Sequence, residues 1–212
     1  MIIIPTRGHA TMVFWALGLL VAFLPLVGCA GTQALKRRVG PKYEAETRSW
    51  IAMIEQRGGS GMWLVTRGYH TGDDVIAVAT NSPLSHASIL DLQGKTVIEA
   101  IGKGVIETPL DKFLRESHRL VLVQPNTWTP ERGRVALAKA RAQMGKKYDY
   151  LGVVGLPARD SWYCSELAAW SMGIEVNRKG PKHVLHPRHM QRYGAVLFDS
   201  GQRDGKPDKP DK

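Results

Sequence analysis

Cysteine is scarce in this chain, which has only two among its 212 residues. So low a count gives no disulfide framework, and the fold must depend on a packed core. The two cysteines lie in the segments Leu26-Val27-Gly28-Cys29 and Tyr163-Cys164-Ser165-Glu166-Leu167. Both segments favour thiol chemistry over a structural disulfide, so each cysteine is expected to have a chemical role of its own.

Acidic residues are also few, because 19 Asp and Glu stand against 29 Lys and Arg and give a formal net charge of +10. A basic surface suits anionic lipid headgroups or anionic envelope polymers. The basic residues are scattered and form no dense tract interleaved with aromatic residues. Nucleic acid is therefore not expected as a partner, and a surface that is merely solvated is the preferred interpretation of this charge.

The N-terminus contains an apolar stretch that is short for a membrane-spanning helix. One positive charge, Arg7, precedes an uncharged range over residues 8–35, whose apolar centre covers residues 12–24. Pro25 and Gly28 would end a helix just before Cys29. This layout predicts a secretory signal peptide over residues 1–28.

The end of this signal resembles the bacterial lipobox, because Leu26 lies three positions before Cys29 and the small residue Gly28 directly precedes it. The resemblance implies lipid on Cys29, cleavage in front of it, and a protein anchored by lipid to a membrane of the bacterial cell envelope. Ala30, in place of an acidic residue, is associated in that resemblance with an outer membrane facing the periplasm. An ordinary signal anchor with an incidental cysteine is the alternative.

The rest of the chain is long enough for one globular domain but not comfortably for two, and it has no internal repeat. We predict a lipidated tether and a short helix over residues 29–60, with the helix near Tyr43 to Gln56, and a folded domain over residues 61–200. Residues 201–212 have no apolar side chain able to join a core, and this predicts a disordered tail.

Within the domain, short apolar runs separated by turn signals predict strands over residues 74–79, 86–92, 96–100, 120–124 and 194–199. Thr129, Pro130 and Glu131 form a helix start, and this helix is expected to end near Met144. A second helix is expected from Cys164 to Gly173. The fold class is therefore α+β, a small antiparallel sheet with helices packed on one side.

Three residues of this domain together suggest nucleophilic chemistry. Cys164 begins a predicted helix, where the helix dipole lowers a thiol pKa and favours the thiolate. His86 heads a predicted strand and is the best candidate for the imidazole that accepts the thiol proton. Glu99 lies on the adjoining hairpin strand, within reach of orienting the His86 ring if the strand register allows it. Each residue alone is more often structural, and only the combination is informative.

At these residues the chain resembles the circularly permuted branch of the NlpC-type papain-like cysteine hydrolases, the YiiX-like group. The resemblance depends on residues 83–89, residues 97–100, Tyr148-Asp149-Tyr150 and residues 163–167. It implies a permuted papain-like fold, a small antiparallel sheet or half-barrel packed against helices, with histidine before cysteine in the chain.

The same resemblance implies a nucleophile at Cys164, a general base at His86 and an orienting residue at Glu99. It makes Tyr148 a substrate contact or second oxyanion donor, with a structural aromatic as the alternative, and it leaves Tyr163 either lining the pocket or simply packing. Relatives act on cell-wall peptides, other amides and lipid acyl esters without a cofactor, so the expected substrate is a cell-wall peptide or a lipid. A non-catalytic envelope binding module of the same shape is the alternative function.

A rival cluster consists of His183, His186 and His189, which are evenly spaced by three residues. Such spacing is compatible with metal binding, but Pro187 and the surrounding basic residues argue against a continuous helix that presents all three. A basic connecting loop is the preferred interpretation, and no metal is expected. Asp73 and Asp74, at the predicted start of a strand, are too few for a cation site.

Overall fold

One antiparallel sheet organises the domain and brings distant parts of the sequence side by side. The computed structural model describes residues 35–37, 39–156, 158, 160–175 and 184–203. Six strands pair in the order β4-β3-β2-β1-β5-β8. Their bounds are β1 Trp63–Gly68, β2 His86–Asp91, β3 Thr96–Ile101, β4 Gly104–Pro109, β5 Ser117–Pro125 and β8 Gly194–Asp199. A small second sheet pairs β6 (Lys147–Tyr148) with β7 (Ser161–Trp162) in parallel.

Five α-helices and two 3₁₀ segments surround the sheet in the described part of the chain. The α-helices are α1 Pro41–Arg57, α2 Thr71–Thr80, α3 Leu110–Arg115, α4 Pro130–Arg141 and α5 Cys164–Ser171, and the 3₁₀ segments cover Gly152–Val154 and Pro187–Tyr193. The predicted start of α4 is present, since the Thr129 side chain accepts a hydrogen bond from the Arg132 N–H. Among the described residues, no helix is both long and apolar enough to cross a membrane.

Alternation along the strands divides the core between the two faces of the sheet. On β2, Ile89 packs with α4 and α5, whereas the next residue, Leu90, packs with α1 and α3. Successive strand residues point to opposite faces of the sheet, so a strand that is buried on both faces needs apolar residues at successive positions. The α+β class is confirmed, but the prediction of helices on one side is wrong, because helices cover both faces.

Residues 74–79 do not form the predicted strand, since they belong to α2. The backbone N–H of His70 donates to the Asp73 carboxylate at 3.1 Å, which satisfies one of the free donors at the helix start. Asn81 adopts a left-handed conformation with φ 46° and ends the helix. Asp73 and Asp74 are therefore first-turn residues of a helix, where a negative charge is favourable.

The folded region extends beyond the end of β8. Arg203, which composition assigns to the tail, is 3% exposed, and its guanidinium lies 3.8 Å from the ring centroids of both Tyr43 and Trp50. The predicted tail therefore begins too early, because the chain is folded at least as far as Arg203. The predicted signal peptide, Cys29 and residues 204–212 lie outside the described residues.

Candidate active site

Cys164 is the first residue of α5 and is only 2% exposed. Its sulfur receives hydrogen bonds from the backbone N–H groups of Ala87 and Ser165. The Trp63 indole N–H donates to the Ala168 carbonyl oxygen at 3.1 Å and fixes α5 against the central strand of the sheet. The position of the thiol is thus set by both the helix and the sheet.

His86 and Glu99 meet across the β2–β3 pair. The His86 Nε2 atom lies 2.7 Å from Glu99 Oε2, and the imidazole is also hydrogen-bonded to Cys164. Because Nε2 is engaged by the carboxylate, Nδ1 is the ring nitrogen left for the thiol. Ile89 pairs with Ile98, which sets Glu99 diagonally from His86 on the same side of the sheet. The structure thus brings these three predicted residues together.

Thr108 is a fourth member of the site that the sequence did not reveal. Its hydroxyl donates to Glu99 Oε1 at 2.6 Å from β4, the strand on the far side of β3. Thr108 pairs with Val97, which lies two residues before Glu99 on β3. The Thr108 and Glu99 side chains are therefore diagonal neighbours on the same face of the sheet. Both carboxylate oxygens of Glu99 are therefore engaged, and the carboxylate is held for the imidazole. The sequence analysis missed Thr108 because it did not predict β4, and only the pairing of β4 with β3 brings Thr108 to Glu99.

The charges of the site favour a thiolate beside an imidazolium. Burial would lower the pKa of His86, but its hydrogen bonds and charge attraction with Cys164 and Glu99 prevail and raise that pKa well above 6.5. Burial would raise the pKa of the Cys164 thiol, but the His86 hydrogen bond, its charge and two backbone N–H donors lower it below 9.0. Each shift favours the charged form of its group, so both shifts favour the ion pair.

The Glu99 carboxylate is also charged. Burial opposes its ionisation, yet the hydrogen bond and charge of His86 and the Thr108 hydroxyl lower the Glu99 pKa below 4.5. Its side chain is only 8% exposed, so solvent does little to screen the attraction. A buried carboxylate in this position stabilises an imidazolium and also holds the ring in one orientation.

The two tyrosines considered at the sequence level lie in different surroundings. Tyr148 is close enough to Cys164 that burial and the thiolate charge raise its pKa above the ordinary value, so the phenol keeps its proton as a hydrogen-bond donor. Tyr163 is 4% exposed, and its hydroxyl accepts a hydrogen bond from the Leu185 N–H at 3.2 Å. Its burial favours the packing role for Tyr163, whereas Tyr148 is available to the site.

The histidine cluster does not form a metal site among the residues that the structure describes. The rings of His186 and His189 are 5.3 Å apart, while His183 lies outside those residues. Burial and nearby arginines lower the pKa of both described histidines. No group of three or more His, Cys, Asp or Glu in the described ranges could hold a metal ion.

A cysteine at a helix start, hydrogen-bonded to a histidine that in turn bonds a carboxylate on an antiparallel sheet, is the arrangement of papain-like cysteine hydrolases. Here the histidine precedes the cysteine, as in a permuted chain. The sequence model of the family described as "permuted papain-like amidase enzyme, YaeF/YiiX, C92 family" matches residues 67–189, more than half of the chain, and the chain belongs to this family. The matched range contains His86, Glu99 and Cys164.

Comparison with solved structures supports the same fold. The crystal structure of the metalloprotein yiiX from Escherichia coli O157:H7 is similar over 68% of this chain and 97% of that one, with 20% sequence identity and a TM-score of 0.51. At this identity the similarity is evidence for the fold alone. A comparison with curated proteins finds no match.

Proposed function

We propose that the protein is a cysteine hydrolase that cleaves an amide or acyl ester bond through an acyl-enzyme on Cys164. The observation that carries this proposal is the continuous hydrogen-bonded series from the Cys164 sulfur through His86 to Glu99. Membership of an amidase family supports the same class of reaction. The sequence also resembles the NlpC-type hydrolases, and we include membership of that group in the proposal.

In the first half-reaction, the Cys164 thiolate attacks the substrate carbonyl carbon and forms a C–S bond. The resulting oxyanion is within the field of the α5 N-terminus, where the Cys164 backbone N–H is a donor, and the Tyr148 phenol is the proposed second donor. The His86 imidazolium then gives its Nδ1 proton to the leaving amine or alcohol as the C–N or C–O bond breaks. The product of this step is a thioester.

In the second half-reaction, the now neutral His86 accepts a proton from water while the water oxygen attacks the thioester carbonyl. The C–S bond breaks, the acid product leaves, and the thiolate and imidazolium are restored. Glu99 remains ionised throughout and stabilises the imidazolium at the start and end of each cycle. Atoms and charge balance without a cofactor.

The similar Escherichia coli protein is described as a metalloprotein. In this chain, the described residues offer no set of three or more donors that fits a metal ion. The proposed mechanism therefore includes no step through a metal.

We further propose that lipid on Cys29 tethers the enzyme to a membrane of the bacterial cell envelope. The segment Leu26-Val27-Gly28-Cys29 supports this proposal. A tether there is compatible with a cell-wall peptide or a lipid as the substrate, so location alone does not choose between an amide and an ester.

The test is the pH dependence of Cys164 alkylation by iodoacetamide, followed by mass spectrometry of the Cys164 peptide so that Cys29 does not contribute. We expect the midpoint of the alkylation profile of the wild type to lie below pH 9.0, because the thiol pKa is lowered. His86→Ala removes the largest favourable contribution to the thiolate, so the profile should move to higher pH. Matching profiles in the two proteins would contradict the nucleophile assignment and favour the non-catalytic binding module.

A further inference from the structure

The segment that leads from Tyr148 to Cys164 exposes four large apolar side chains within seven residues. Tyr150 is 64% exposed, Leu151 59%, Val154 59% and Leu156 61%. Single exposed apolar residues are common on soluble proteins, but a contiguous group of them marks an interaction surface. We call residues 150–156 the apolar loop.

Hydrogen bonds bring the apolar residues of this loop together. The Leu151 carbonyl oxygen accepts from the Val154 N–H at 3.1 Å and from the Leu156 N–H at 3.0 Å. Leu151 and Val154 are three residues apart on a 3₁₀ turn, which places them on the same side of it. Gly155 has φ +84° and returns the chain toward Leu151. The three aliphatic residues thus share one compact turn.

Hydrogen bonds to Asp149 and close packing against Tyr163 fix the apolar loop to the domain. Asp149 is 2% exposed, and its carboxylate accepts hydrogen bonds from the Gly152 N–H at 2.8 Å and the Ala158 N–H at 3.0 Å. A Cβ added at Gly152 would lie 3.1 Å from the Tyr163 ring, the residue directly before Cys164. The exposed apolar residues are therefore held in place next to the nucleophile.

Lysines border the same loop. The Tyr150 hydroxyl donates to the Gly102 carbonyl oxygen at 3.2 Å, which places the exposed Lys103 beside it. Lys146 and the exposed Lys147 precede Tyr150 in the chain, and Lys146 lies 3.7 Å from the exposed Asp160 carboxylate. An apolar centre with a basic border is the pattern of surfaces that bind anionic membranes.

We propose that the apolar loop inserts into an anionic lipid surface and holds the Cys164 site against it, so that the substrate is a lipid-embedded amide or ester. Cell-wall glycans and peptides are polar and would leave the aliphatic residues of the loop in water, whereas acyl chains would cover them. The lysines meet the anionic headgroups. Only the statement about the substrate rests on the proposed function, since docking does not require Cys164.

The test is hydroxyl-radical footprinting of the full chain, which reads the solvent exposure of individual side chains. Oxidation of the apolar loop is measured relative to Val135 and Val196, which are 46% and 47% exposed on α4 and β8. The protein is compared without vesicles, with phosphatidylglycerol vesicles and with phosphatidylcholine vesicles. Any membrane attachment by the N-terminal segment is common to loop and reference, so their ratio isolates the loop.

We expect phosphatidylglycerol vesicles to lower the ratio several-fold, because an interfacial segment is buried roughly 5–10 Å into the headgroup boundary. Phosphatidylcholine vesicles should lower it much less. A ratio that phosphatidylglycerol leaves unchanged would overturn the proposal, as would equal protection by both lipids. Protection that grows with protein concentration in the absence of vesicles would also overturn it and indicate a second copy of the chain as the partner.

Two variants separate docking from catalysis. Leu151→Ser combined with Val154→Ser should weaken hydrolysis of a vesicle-embedded ester several-fold more than hydrolysis of p-nitrophenyl acetate, with Val135→Ser as the exposed-valine control. Unchanged alkylation of Cys164 would show that the double variant is folded. Cys164→Ala should abolish hydrolysis of both esters while the footprint of the apolar loop remains protected. A protected loop in an inactive wild type would uphold docking and reject the hydrolase proposal.

Discussion

At the scale of single residues, the site depends on the hydrogen bonds that both oxygens of the Glu99 carboxylate accept. One oxygen accepts from His86 at 2.7 Å and the other from Thr108 at 2.6 Å. A buried carboxylate is costly unless its oxygens are paired, so these two bonds make its burial possible. The charge then acts most strongly on the His86 imidazole.

Glu99→Gln tests whether the negative charge of Glu99 stabilises the His86 imidazolium. The amide can still accept from His86 and donate to Thr108, so the geometry and the fold should be retained. Without the negative charge, the pKa of His86 falls, and the imidazolium is lost at a lower pH. We expect turnover to fall by about 10²- to 10⁴-fold, with the alkaline limb of the rate profile moved to lower pH.

Glu107→Gln is the matched control for this prediction. Glu107 is the next acid along the chain, and it bonds Thr96 at 2.6 Å and Arg141 at 2.9 Å outside the site. Its side chain is 31% exposed, so loss of the pair should cost at most about 1 kcal/mol of stability and leave turnover nearly unchanged. Greater damage from the Glu107 change would show that the wrong carboxylate has been assigned.

The sequence could bring His86 and Glu99 near each other because a short hairpin links their strands, although it left the register open. In such a hairpin, the turn over residues 93–95 sets the register, and the register decides which side chains meet. Thr108 comes from the next strand, whose run of Gly104–Pro109 has a weaker pattern of burial. The sequence could not predict that the Ala87 backbone N–H stabilises the Cys164 thiolate, because this contact depends on where α5 packs against β2.

At the scale of secondary structure, α2 shows where pattern alone is insufficient. Residues 74–79 form a short, mostly apolar run that fits either a buried strand or a helix segment. The acids at the first turn and the alanines favour the helix, and the bond from the His70 N–H to Asp73 fixes its start. By contrast, α4 and β8 were predictable because their boundaries have clear caps and turns. The strand β1 was not predicted, although three apolar residues over Trp63–Val65 directly follow Gly61-Met62 and the strand ends at Gly68.

The apolar loop gives a prediction at this scale, concerning the carboxylate that holds it. Asp149→Ala leaves the buried Gly152 N–H without the carboxylate acceptor, at a cost of about 1–3 kcal/mol, and removes the bond that the exposed Ala158 N–H donates. The loop can avoid this cost by opening to water. We expect proteolytic cleavage within residues 150–160, mapped by mass spectrometry, to become several-fold faster.

Asp160→Ala is the control for the loop. Asp160 lies in the same segment, but its side chain is 90% exposed, and it contacts only the Lys146 ammonium at 3.7 Å among the ion pairs of the described residues. Its removal should leave the cleavage rate close to that of the wild type. Equal cleavage of the two variants would mean that the Asp149 carboxylate does not hold the loop.

At the scale of the whole molecule, the proposed lipid on Cys29 can be tested apart from the catalytic domain. Cys29→Ser should abolish incorporation of a fatty-acid analogue and leave uncleaved or soluble precursor in the cells. Cys164 alkylation should be unchanged in this variant, because residue 29 is outside the family match over residues 67–189. Equal incorporation into wild type and variant would reject the lipoprotein proposal.

The two ends of the folded chain meet at Arg203. Its fully buried guanidinium donates to the Ser117 carbonyl oxygen at 2.9 Å, to the Leu114 carbonyl oxygen at 3.1 Å and to Thr47 Oγ1 at 2.9 Å. It also stacks between the Tyr43 and Trp50 rings. A planar guanidinium can make all of these contacts at once, whereas a lysine ammonium cannot. This side chain therefore joins the segment after β8 to α1 and to the start of β5.

Arg203→Ala removes these contacts and leaves three buried carbonyl groups, those of Tyr43, Leu114 and Ser117, with fewer donors. We expect the free energy of unfolding, measured by urea denaturation, to fall by about 2–4 kcal/mol. Arg203→Lys should restore only part of it, because the stacking and the forked hydrogen bonds are lost. Gln202→Ala, at the exposed neighbouring position, should be close to the wild type. If the Arg203 and Gln202 variants unfold alike, the domain ends before residue 203 and the tail begins at Gly201, as its composition alone predicts.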